Sequence, residues 1–167
     1  ASQASVGFLY ARLAFLIAAL MAGMAAGGLV GNGIVRRRSI TFGMMAWAMG
    51  GASIFCLAMG AMLSDIIALP ESPAQAALLV VAACSGGLGG AVFPLVVALR
   101  RRVRPDLQET SSLYSADLVG ACLGAVIPGT LVIPALGMRL GLVGMAVVGL
   151  LSCVVLLVAK DLGREGR

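Results

Sequence analysis

Asp117 is the side chain of this 167-residue sequence best placed to do chemistry. It is the one ionisable group well inside an apolar run, and a carboxylate there costs roughly 3 kcal/mol unless it is paired, hydrated or protonated. Tyr114 lies three residues earlier, so on a helix the two share a face. Ser111, Ser112 and Ser115 add hydroxyls nearby. The cluster has two readings. In one it is a site for a proton, a cation or a substrate close to the cytoplasmic surface. In the other, Asp117 bonds backbone groups or an arginine from residues 100–104 and fixes the bundle.

The remaining residue types narrow the chemistry further. The chain has no histidine, which removes the commonest haem and metal ligand and any histidine-based triad or general base. Cys56, Cys84, Cys122 and Cys153 show no C-x-x-C spacing and read as small apolar packing residues. No metal site and no cofactor are expected. Catalysis needs a nucleophile and a base, or a metal, in a shared pocket, so an enzyme is not expected either. Ser85-Gly86-Gly87-Leu88-Gly89-Gly90 looks like a dinucleotide turn but lacks the surrounding βαβ unit.

The elements that must position Asp117 are long and greasy. Residues 13–35 contain no ionised side chain, and about 20 such residues cross the roughly 30 Å hydrocarbon core as a helix. The composition is 60% hydrophobic and 11% charged, which fits a polytopic helical membrane protein. The pattern argues against a membrane β-barrel, whose strands alternate apolar and polar residues where these runs do not. The expected fold is all-α: a single transmembrane bundle over residues 1–167, with five spans at about 13–35, 41–63, 75–99, 112–133 and 140–159.

Charge orients the spans. Arg36, Arg37, Arg38, Arg100, Arg101, Arg102, Arg104, Lys160, Arg164 and Arg167 fall on one side of such a bundle, Arg12 and Arg139 on the other. The positive-inside rule places the larger group in the cytoplasm, the N-terminus outside and the C-terminus inside. The clusters at 36–38 and 100–104 read as topology signals that also touch anionic lipid head groups. Aromatic residues make up 5% of the chain and do not interleave with the arginines, so no nucleic-acid partner is expected.

Small residues recur at spacing four: Gly23, Gly27 and Gly31, then Gly86 and Gly90, then Gly120 and Gly124. Such stripes let helix backbones approach closely in lipid. They predict a tight bundle or a dimer face, the alternative being a sliding surface in a transporter. Pro94 and Pro128 should kink their helices, while Pro134 with Gly137 ends the fourth span.

Two segments carry a family resemblance. IAALMAGMAAGGLVGNGIVRRR (17–38) is one. The other is GGAVFPLVVALRRR (89–102) followed by SSLYSADLVGACLGAVIPGTLVIPALG (111–137). Both resemble the membrane domain of the bacterial multi-spanning spermidine synthase-like proteins. Members carry Phe-Pro, a basic cytoplasmic loop, a Leu-Tyr-x-x-Asp-x-x-Gly-Ala segment and a closing Pro-x-Leu-Gly. Tyr114, Asp117, Gly120 and Ala121 match those positions. Aminopropyl transfer in that family belongs to a Rossmann-like domain after the spans. The residues following the fifth span hold none, so the resemblance implies a related membrane module without that activity.

The expected function is therefore a non-catalytic scaffold or accessory subunit of the bacterial inner membrane. It would touch lipids and dock other membrane or extracytoplasmic proteins, or itself. The alternative is a small transporter or channel in which Asp117 and Tyr114 contact a cation or polyamine.

Overall fold

The computed structural model describes residues 2–103 and 110–165. Among these every regular element is helical, and no strand occurs. The order is α1 (Ser2–Arg37), α2 (Phe42–Ala68), α3 (Glu71–Val103), α4 (Thr110–Ile127), a π-helical turn (Pro128–Val132) and α5 (Ile133–Glu165). Local chemistry sets the ends. Arg36 and Arg37 occupy the last turn of α1, where cations complement the exposed carbonyls. The Thr41 hydroxyl accepts the Met44 N–H at 3.4 Å, an N-cap for α2. Pro73 falls in the first turn of α3, where its missing N–H costs no helical bond.

Four stretches are long and apolar enough to cross a membrane: Tyr10–Arg37, Phe42–Ile66, Ser72–Arg101 and Ser111–Ala159. The sequence predicts five spans. The difference lies in the last stretch, which joins the expected spans at 112–133 and 140–159. Neither Pro128 nor Pro134 stops the helix. Pro128 is taken up in the π-helical turn, where the Ile133 N–H donates to the Pro128 carbonyl. A wider turn is a common way to accommodate a lost hydrogen bond. Pro134 sits in the first turn of α5.

The chain departs from helical geometry at Gly137 instead, with φ 82° and ψ 164°. Only glycine adopts that conformation without strain. A side chain added at Gly141 would lie 3.7 Å from Cγ1 of both Val132 and Ile133. In a continuous helix, residues eight or nine apart are separated by roughly 12–13 Å. The chain therefore bends sharply at Gly137.

The structure divides into two compact units: residues 1–38 with 65–95, and residues 39–64 with 96–167. In the first, α1 packs on α3 backbone to backbone. A Cβ added at Gly23 would overlap the Ala83 carbonyl oxygen, and one at Gly27 the Gly87 oxygen. At Gly31 it would come within 2.7 Å of the Ala91 oxygen and of the Pro94 ring. Reciprocally, Gly86 faces the Leu20 carbonyl and Gly90 the Met24 carbonyl. Residue numbers rise together along both helices, so the pair is parallel. The glycine hydrogen that replaces a side chain points at a carbonyl oxygen at each step, the geometry of a Cα–H···O contact.

In the second unit α2 packs on α5. Gly149 is closed off by the Ser53 hydroxyl, a Cβ added at Gly60 would lie 3.6 Å from Leu142, and one added at Gly50 would lie 3.9 Å from the Cys153 sulfur. Arg139 Nε donates to the Gly60 carbonyl at 3.3 Å. Here one set of numbers rises as the other falls, so this pair is antiparallel. Ser53 and Ala146 are fully buried at its centre.

Elsewhere the surface is apolar. No candidate stretch has more than 17% of its most apolar window buried, and side chains as large as Trp47 and Leu29 are 84% and 76% exposed. Exposed apolar area on that scale is not tolerated by water.

Replacing Gly27 with leucine should destabilise the fold by about 3 kcal/mol or more, because the Gly87 backbone cannot yield. Gly33→Leu, at a glycine with nothing within 4 Å, should leave stability nearly unchanged. Thermal unfolding of both variants in mild detergent checks the pair.

Candidate functional site

α4 carries the residues that the sequence marks as chemical, and it is the least covered helix. Every residue from Tyr114 to Ile127 is exposed. At about 100° per residue, Tyr114, Asp117, Gly120, Ala121 and Gly124 fall within one face of this helix. Gly120 and Gly124 have no neighbour within 4 Å of an added Cβ. Gly23, Gly27, Gly31, Gly86 and Gly90 lie against the backbone of another helix, and Gly120 and Gly124 have no such neighbour among the described residues.

Asp117 has no hydrogen bond or ion pair among the described residues. The hydroxyls expected to gather around it are engaged elsewhere. Ser115 donates to the Ser111 carbonyl at 3.0 Å, and Ser112 accepts from Arg100 Nη2 at 3.1 Å. Hydroxyls satisfied by their own helix are the ordinary solution where water is absent. Ser152 and Thr130 bond back to Val148 and Val126 in the same way.

The Arg100 to Ser112 bond ties the end of α3 to the first turn of α4. That is an arginine contact with α4, as the sequence suggests, but made to a serine rather than to Asp117. Arg101 is exposed; Arg104 and the side chain of Arg102 lie outside the described residues. Arg36, Arg37 and Arg38 are exposed at the end of α1, positioned for solvent or head groups. Pro94, inside α3, has its ring against Gly31. Among the described residues no three His, Cys, Asp or Glu side chains come together as metal ligands would.

Two features escape the sequence reading and a third it names in part. Of Pro134 and Gly137, read together as the end of the fourth span, Gly137 alone departs from helical geometry. Arg139 bonds a backbone carbonyl of α2. Ala46, Gly50, Ser53 and Gly60 form a small-residue stripe on α2 at steps of four, three and seven, so a search for strict spacing four passes over it. Tyr10, Trp47 and Tyr114 are also all exposed, at 67%, 84% and 55%, and each lies within a few residues of the start of an apolar stretch. Such aromatics are enriched at membrane–water interfaces.

Compared with family models, curated proteins and solved structures, the chain matches none.

Because Asp117 has no partner within the described residues, Asp117→Leu should leave the melting temperature of the purified chain in detergent unchanged or raised. Arg100→Ala, which removes the contact to Ser112, should lower it modestly, by about 1 kcal/mol or less of stability.

Proposed function

We propose that this protein is an integral membrane scaffold or accessory subunit, without catalysis of its own, whose fourth helix docks a partner. The observation that carries this reading is the contrast between helices. α1 with α3, and α2 with α5, each bury a small-residue stripe against another helix. α4 has such a stripe and an embedded acid, and among the described residues leaves both open. Polar groups in lipid face protein or water-filled cavities rather than acyl chains. On this reading the segment that resembles the spermidine synthase-like membrane domains is the docking helix itself.

The same reading takes the chain across the bacterial inner membrane five times. Parity supports it. Successive crossings alternate in direction, so the first and third run the same way under any count. If residues 111–159 made one crossing, it would be the fourth and would run parallel to the second. α5 runs antiparallel to α2, the sense that a fifth crossing has. The bend at Gly137 supplies the extra reversal. The arginine distribution supports a cytoplasmic placement of the 36–38 and 100–104 clusters.

Two experiments test this. With the four native cysteines replaced by alanine, single cysteines at Leu69 and Met138 should label from the periplasmic side and one at Ser39 from the cytoplasmic side. A Met138→Cys variant that does not label from either side would return the count to four. Purification of the tagged chain from its native membranes in mild detergent should bring down another membrane protein in stoichiometric amount. A monodisperse preparation of this chain alone would overturn the accessory role.

A further inference from the structure

Resting on the docking reading above, we propose that the α4 face of Asp117, Gly120, Ala121 and Gly124 receives a transmembrane helix that carries one lysine or arginine. Charge decides the partner. Asp117 lies about 9 Å along the helix from Ser111, six residues at 1.5 Å each, and so about two turns into the apolar stretch. It is exposed and unpaired among the described residues. The apolar stretches 13–35 and 75–99 contain no cation to meet it, and Arg100, the basic residue that contacts α4 among the described residues, is committed to Ser112. Acids at membrane depth pair with bases. A second copy of this chain would set one Asp117 against another and offer no cation at that depth.

Shape agrees with charge. Below Asp117 the face holds Gly120, Ala121 and Gly124, whose side chains leave a shallow groove open for 4 Å beyond each glycine. The chain packs its own helices through just such glycines at 23, 27 and 31. A partner backbone seated there would bring a cationic side chain alongside the carboxylate. The far side of α4, with Val119, Leu123 and Val126, is bulky and uncharged and suits lipid.

The test uses the full chain in phosphatidylcholine vesicles, with a photo-crosslinking residue in place of Ala121. The probes are three synthetic leucine–alanine transmembrane peptides that bear, at the depth of Asp117, one lysine, one leucine or one aspartate. The lysine peptide should crosslink roughly tenfold more than the leucine peptide, in line with polar pairs in membranes, and the aspartate peptide should crosslink least. Asp117→Asn should erase the preference. The same photo-crosslinker placed at Val119, on the opposite side, should show none, a control that leaves Asp117 intact. Equal crosslinking by the lysine and leucine peptides would overturn the proposal. So would a covalent dimer of the chain through position 121 in the absence of peptide. A stoichiometric native partner that contacts another helix would also sink it while leaving the accessory role standing. Lysine-selective crosslinking without any native partner would do the reverse.

Discussion

The approach of α1 to α3 is the constraint on which the first unit depends. Without water to expel between them, helices in lipid are held by close van der Waals contact and by weak polar contacts of the backbone. Glycine at 23, 27 and 31 lets three successive carbonyls of α3 sit where side chains would otherwise be. Gly86 and Gly90 return the favour for α1. Each contact is worth little on its own, about 0.5–1 kcal/mol. Their number and their regular spacing favour one register, because a slip by one residue would set a side chain against a carbonyl at several of the steps.

The second unit solves the same problem with different residues. α2 and α5 run in opposite senses, and the small positions on α2 step by four and then three. Ser53 replaces a glycine at the tightest point, and its hydroxyl donates to the Met49 carbonyl at 3.0 Å rather than across the interface. Its polarity is thus spent inside its own helix, and what it presents to Gly149 is a small shape. Arg139 does the opposite. It crosses between helices to the Gly60 carbonyl, a charged donor on a backbone acceptor at the end where the chain turns at Gly137.

Much of this was legible in the sequence. Long uncharged runs gave the helices at 13–35, 41–63 and 75–99 to within a few residues at most ends, and spacing four singled out the glycines that do pack. Which residue makes a break was harder. Proline is the usual breaker, yet Pro128 and Pro134 are both carried within helix while Gly137 departs from it. The cost of a positive φ is a property of the backbone path, and a glycine within an already glycine-rich sequence does not advertise it. At the site, the identity of Asp117 and its face were readable, because helical periodicity alone places Tyr114 and Gly124 beside it. Which hydroxyls would attend it was not, since a serine in a helix can always turn back to the carbonyl four residues earlier.

α4 stands apart because its sequence is locally inconsistent with its surroundings. A glycine inside a helix costs about 1 kcal/mol relative to alanine in water-exposed helices, and an acid at depth costs more. In α1 and α3 the cost at Gly23, Gly27, Gly31, Gly86 and Gly90 is offset by backbone contact. In α4 Gly120 and Gly124 offset nothing among the described residues, and Asp117 adds its own penalty on the same face. Departures from local consistency that have no compensation within a fold concentrate where function requires them. Three unfavourable residues gathered on one side of a helix, with bulky apolar residues on the other, are what a helix built for a polar, close-fitting neighbour would carry, and what a helix built only to face acyl chains would not.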